Sequence, residues 1–139
     1  MNNDVILKVA NLQTFFNTPQ GIVRAVDGVS FEVKRGKVLG LVGESGCGKT
    51  VTALSILALI PRAGLKVFTG QIRYRDTDLL GLTSMEMQKV RGRHISMVFQ
   101  DPLSALNPVF TIGEQIAEIL RLHLKMNRRE AREKSVELL

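Results

Sequence analysis

Gly43, Gly48, Lys49 and Thr50 stand at a spacing that can hold a chain of phosphate groups. They belong to GESGCGKT, residues 43–50, directly after the apolar run VLGLV. A polyphosphate carries several negative charges that must be met without steric conflict. Glycines let the backbone curl so that successive N–H groups point inward at phosphate oxygens. A helix opening at Gly48 adds about half a positive charge from its dipole. Lys49 supplies a full charge for the β- and γ-phosphates, and the Thr50 hydroxyl suits Mg²⁺. The plainer alternative is a Gly-rich turn between two elements, with Lys49 solvated.

The flanking elements decide between the two. VLGLV, residues 38–42, is apolar without alternation, which predicts a strand buried on both faces. A helix is predicted from about Gly48 to Ile60, with Pro61 just beyond it. Val51, Ala53, Leu54, Ile56, Leu57, Ala58, Leu59 and Ile60 run nearly all the way round that helix, so it should be buried. Strand, Gly-rich loop and buried helix form the context that the P-loop pattern requires. Cys47 sits at a variable position of the loop, where a small residue fits a tight turn. A thiol at a helix N-terminus is also a candidate for oxidation or alkylation.

Upstream, VILKV, IVRAV and VSFEV read as β-strands. Asp27-Gly28 lies between the last two, and Asp-Gly between apolar runs signals a hairpin. Downstream, GQIRY reads as a strand and TSMEMQKVRG as a short helix with a Thr83/Glu86 capping box and a stop at Gly92. HISMVFQ, residues 94–100, reads as a strand, and DPLSALNP as a loop. Capping boxes at Thr111/Glu114 and Asn127/Glu130 open two more helices. The first carries Ile112, Ile116, Ile119, Leu120 and Leu124 on its apolar side. In the second, Glu130 and Lys134 stand at i,i+4. In YRDTDLL, Asp76 and Asp78 can each make an Asx turn around Thr77.

Lys and Arg number 19 against 13 Asp and Glu, a formal net charge of +6. That balance suits an anionic partner without choosing one. Arg128, Arg129, Arg132 and Lys134 cluster, but no aromatic lies nearby and acidic residues interleave, so no nucleic-acid binding is expected. The single cysteine fits a reducing cytosol. The N-terminus lacks the pattern of a signal peptide. The longest apolar stretch, ALSILALI, is far short of the ~20 residues of a membrane span. A soluble chain is expected, with any membrane role coming through a partner.

The segment HISMVFQDPLSALNPVFTIGEQIAE is less generic. It resembles the Q-loop region of ATP-binding cassette (ABC) ATPases, within them the oligopeptide/dipeptide importer group; nickel importers share the same motifs. FFNTPQGIVRAVDGVSFEV is similar to that group's N-terminal strands, and RLHLKMNRREAREKSVELL to the helices after its Q-loop. The resemblance implies an α/β fold of P-loop NTPase type, an ABC nucleotide-binding domain. Its N-terminal half would comprise an antiparallel β subdomain, the P-loop core and the start of the helical subdomain. The division would fall at about 1–100 and 101–139. Mg²⁺ and ATP are the implied cofactors. Gly43, Ser45, Gly46, Cys47, Gly48, Lys49, Thr50 and Val51 would hold the nucleotide, with Lys49 and Gln100 in catalytic roles and Thr50 and Gln100 at the metal. Phe16 aligns with the aromatic that stacks on adenine, with Phe15 the alternative. Asp101 to Thr111 matches the surface that grips the permease subunits. A second ATP-binding subunit or a second copy is the other implied partner, at the inner face of the cell membrane.

The chain departs from the family pattern in one respect that bears on mechanism. The signature LSGGQ, a Walker B strand ending in Asp-Glu and a switch histidine are all missing. His94 and His123 lie before the place of that histidine. The expectation is a chain that binds Mg-ATP and hydrolyses it negligibly alone. The competing expectation is a non-catalytic truncated module that binds nucleotide, or only its own kind through Leu138, Leu139 and an open sheet edge.

Overall fold

A computed structural model describes residues 4–101 and 106–139. It divides into two compact units, Met1–Met87 and Gln88–Leu139.

In the first unit, β1 (Val5–Thr18) and β2 (Gly21–Lys34) form a long antiparallel hairpin. The helix α1 (Lys49–Ile56) follows, then β3 (Leu65–Tyr74) and the two-residue β4 (Thr77–Asp78); α2 (Ser84–Val90) runs across the division at Met87. The sheet order is β2-β1-β3-β4, so β1 is flanked on both sides. Val9, Leu12 and Thr14 of β1, Val26 of β2 and Ile72 of β3 are buried, as are Thr52 and Ser55 of α1.

The chain does not turn at Asp27-Gly28. It passes straight through in β2, and the hairpin turn falls at Pro19-Gln20, where Thr18 pairs with Gly21 and its Oγ1 donates to the Gly21 carbonyl at 2.8 Å. Gly28, at φ 74°, is instead the extra residue of a bulge: Leu12 faces Val29 while Gln13 faces Asp27. A hairpin and a bulge both need positive φ, so the local signal does not separate them.

Helix α1 is shorter than its apolar run. Ala58 takes the left-handed conformation (φ 49°), its N–H bonding Ser55 O at 3.0 Å while Leu59 N–H bonds Leu54 O at 2.9 Å. This is a Schellman closure with alanine where glycine is usual. It ends the helix at Ile56 and leaves Leu57 and Ile60 buried.

Two predicted strands do not form. Residues 38–42 are in no strand, and Val38 is 99% and Val42 95% exposed. Residues 96–100 are likewise unpaired, and Val98 is 88% exposed. A central parallel strand exists only through its neighbours' hydrogen bonds and the helices on its faces. Among the described residues neither segment has a strand beside it.

In the second unit, Arg91 and Ile95 form a single bridge, with Gly92 N–H bonding Ile95 O. Two helices follow, α3 (Ile112–Leu124) and α4 (Arg128–Leu138), packed against one another. Leu120, Ala131 and Ser135 are buried, whereas Ile112, Ile119 and Leu124 remain exposed. All three expected capping boxes form, those of α3 and α4 and that of Thr83 with Glu86 before α2. The expected Glu130–Lys134 pair does not. Glu130 reaches back to Asn127 N–H at 2.9 Å, and Lys134 pairs with Glu137 at 2.8 Å. A carboxylate committed to its own N-cap is turned away from i+4.

Ala58→Gly should stabilise the chain by about 0.5–1 kcal/mol, since it relieves the left-handed alanine at a cost in unfolded-state entropy; thermal melting measures it. Glu114 accepts bonds from Thr111 Oγ1 (2.8 Å) and Thr111 N–H (3.0 Å), which hold its carboxyl below the ordinary 4.5, the side-chain bond contributing most. A lowered folded-state pKa adds stability above the unfolded value that is lost as pH falls through the folded one. Thr111→Ala should move the Glu114 titration part of the way back up, as read by carboxyl-carbon NMR.

Candidate functional site

After β2 the chain runs through residues 38–44 without pairing and curls at Ser45–Gly48 into α1. Gly48 is the N-cap of that helix, at φ 93°. A Cβ at this position would collide with the backbone carbonyl oxygen of Ala25 in β2 and reach Val26 Cγ2 at 3.7 Å. Position 48 therefore demands glycine twice over, for its left-handed backbone and for its contact with the strand. The loop is seated against the sheet as a result.

Lys49 folds back over this loop. Its Nζ donates to Gly43 O at 2.7 Å and to Glu44 O at 2.6 Å, and lies 3.5 Å from Cys47 Sγ. An ammonium thus sits at the mouth of the loop, held by weakly basic carbonyls rather than by a carboxylate. The first turn of α1 carries no acidic residue, so the positive end of its dipole is unopposed on its own helix. Thr50 is exposed at the same end and Val51 half-buried behind it. Cys47 is exposed. Together these groups present one full cation, a helix N-terminus and a hydroxyl, a donor set suited to an anion with several oxygens and to its counter-cation. Among the described residues no three His, Cys, Asp or Glu side chains converge to cage a metal. A Mg²⁺ ion held mainly by phosphate and water needs no such cage.

Phe16 lies in β1, two residues beyond Thr14, so strand alternation puts both on the face turned to α1. Phe15 points to the opposite face and lies under the Arg24 guanidinium, 5.5 Å from the ring centroid. Arg24 is in turn tied to Asp27 at 3.3 Å. By alternation Phe16, and not Phe15, shares the side of β1 that carries Thr14.

Gln100 is exposed at the end of the unpaired segment in the second unit. Of the stretch Asp101 to Thr111, residues 102–105 lie outside the described residues. The turn at Asn107–Phe110 is organised by Gln115. Its Nε2 donates to Asn107 O and Phe110 O, and its Oε1 accepts from Asn107 N–H, all at 3.0 Å. This clamp ties the turn to the start of α3 and leaves Val109 82% and Phe110 56% exposed.

Sequence reasoning missed one feature beside the site. Thr14 and Ser55, both fully buried, meet at 3.2 Å between β1 and α1. A serine on an apolar helix was the available signal, but its partner is 41 residues away.

Comparison with known proteins places these features in context. The sequence model described as ABC transporter matches residues 26–138. The probable peptide ABC transporter ATP-binding protein y4tR of Sinorhizobium fredii is 48% identical over 136 residues, covering 98% of this chain and 41% of that protein. The oligopeptide transport ATP-binding protein AppD of Bacillus subtilis is 47% identical over 134 residues, covering 96% of this chain and 41% of that protein. The chain thus spans about two-fifths of the length of the curated relatives it matches. Among solved structures, the dimeric structure of MJ0796, a bacterial ABC transporter cassette, superposes with a TM-score of 0.78 at 24% identity, covering 94% of this chain and 54% of that one.

Gly48→Ala should cost at least about 2 kcal/mol, from a left-handed alanine and a Cβ driven into the Ala25 carbonyl. Chemical denaturation measures the loss, and Gly40→Ala, where nothing lies within 4 Å, is the control.

Proposed function

The chain belongs to the ABC transporter family, and we propose that it forms the N-terminal part of the ATP-binding subunit of a peptide importer, with residues 43–51 holding the triphosphate of Mg-ATP. The observation that carries this reading is the placement of Lys49. Its ammonium lies across the loop mouth on the Gly43 and Glu44 carbonyls, at the open N-terminus of a helix seated on β2.

Each residue then has a task. The backbone from Gly43 to Thr50, through Ser45, Gly46, Cys47 and Gly48, lines the β- and γ-phosphates. Lys49 exchanges its two carbonyl partners for phosphate oxygens, a better match for an ammonium. Thr50 offers its hydroxyl to Mg²⁺, which neutralises charge on the phosphates when bound. Phe16 provides the flat surface for adenine; its position on the α1 face supports it over Phe15. Gln100 serves the metal or the attacking water. The Gln115-clamped turn, with Val109 and Phe110 outward, suits docking on a membrane permease. That role would hold the protein at the cytoplasmic face of the membrane. Among the described residues no helix is long and apolar enough to cross a membrane. A second ATP-binding subunit, or a second copy, completes the assembly in this proposal.

Hydrolysis requires a group that positions water for in-line attack on the γ-phosphate, besides the phosphate cradle and metal. The sequence offers no Walker B carboxylate and no switch histidine. This chain by itself is therefore a nucleotide-binding half, with peptide transport belonging to the full-length protein and its partners.

Calorimetric titration with Mg-ATP should show saturable binding to the 139-residue chain and none to Lys49→Ala. Phosphate release should stay at background in both. No binding by a chain that is folded by circular dichroism would favour the alternative, a non-catalytic self-associating module. Turnover lost in Lys49→Ala would refute the half-site.

A further inference from the structure

Helix α1 is pinned to the sheet at two points. The first is Gly48, against Ala25 and Val26 of β2. The second is Ser55, against Thr14 of β1. Ser55 lies seven positions after Gly48, roughly 10 Å along the axis, so the two together fix the direction of the helix as well as its place.

The second pin has a defined direction. Ser55 Oγ donates its only proton to Val51 O at 2.6 Å. In the 3.2 Å contact with Thr14, Ser55 can then only accept, and Thr14 donates. The result is a buried relay, Thr14 to Ser55 to the Val51 carbonyl, which ends in the first turn of α1. No buried side-chain nitrogen or oxygen lacks a partner among the described residues, so the relay is satisfied throughout. Thr14 is the middle of the sheet's centre strand at this level, paired with Val26 on one side and Phe68 on the other. Phe16 stands two residues further on the same face, about 7 Å away along the strand.

We propose that Thr14 and Ser55 are positioning residues that set the spacing between the Phe16 ring and the phosphate loop, and so determine how well the site accepts a nucleotide carrying a base over a bare polyphosphate. This rests on the nucleotide-site reading above. The two residues touch neither phosphate nor base. Gly48 anchors the phosphate end, while the hydroxyl relay fixes where β1 and its aromatic lie against α1. A slip of α1 about the Gly48 contact would leave the phosphates held and move the base off the ring.

The test compares two ligands on the full chain, Mg-ATP and Mg-tripolyphosphate, by calorimetry, with Thr14→Val, Thr14→Ser and Lys49→Ala. Thr14→Val keeps the shape and removes the donor. It should weaken ATP about fivefold, the size of one net hydrogen bond, and leave tripolyphosphate within about twofold. Thr14→Ser should restore the wild-type ratio of the two affinities. Partial unfolding lowers both affinities by the same factor and so leaves that ratio unmoved. Equal weakening of both ligands, or of neither, overturns the positioning role. Should Thr14→Val fail to fold, Ser55→Ala carries the same ratio measurement. If wild type binds neither ligand, or Lys49→Ala binds both as wild type does, the nucleotide-site reading itself is overturned, and this inference with it.

Discussion

The contact between Gly48 and the Ala25 carbonyl is a close approach of one backbone to another, and the rest of the first unit is arranged around it. A side chain at position 48 would push α1 off β2. With glycine there, the helix N-terminus and the loop before it lie against the sheet. The conformation also needs φ 93°, which glycine adopts without penalty. One residue type thus meets a steric demand and a dihedral demand at once. The cation of Lys49 is then delivered to the loop mouth by the first helical residue rather than by a flexible segment.

The sheet that carries this contact is bent. At Gly28 the β1–β2 register shifts by one residue, and it shifts again where Thr14 faces Val26 and Phe15 faces Arg24. The second shift leaves Ala25 as the extra residue of β2, and Ala25 is the residue whose carbonyl meets Gly48. A bulged residue is released from regular pairing and raised from the strand. The seat of the Gly43–Thr50 loop is therefore a place where the ladder is locally broken. The β1–β3 register also shifts here, with Lys66 the extra residue of β3, so the insertions lie in the neighbours of β1, and alternation along β1 puts Thr14 and Phe16 on one side.

The second unit is held by short-range bonds. Thr111 with Glu114 and Asn127 with Glu130 close reciprocal caps, and Gln115 ties down the turn at Asn107–Phe110. These interactions define helix ends without defining a large core. Much of the apolar side of α3 stays in water, including Ile112, Ile119 and Leu124. The same is true of Val38 and Val42 in the first unit. Exposure on this scale accords with a chain that spans about two-fifths of the length of its relatives.

The amino-acid sequence by itself determined the features whose partners lie within a few residues. The glycine loop, with Lys49 bonding carbonyls five and six positions back, is of this kind. So are the three capping boxes, each closed between residues three apart. Their hydrogen bonds are written in spacing, and spacing is visible in a sequence. Tertiary structure alone decided the rest. Whether the positive φ of Gly28 makes a turn or a bulge depends on what β1 does opposite it. Whether VLGLV or ISMVFQ becomes a strand depends on neighbours that the segment does not contain. Thr14 could have been any strand threonine and Ser55 any helix serine until the fold brought them to 3.2 Å. A strand, a bulge and a buried polar pair are each made by two distant pieces of chain, and no reading of one piece contains the other.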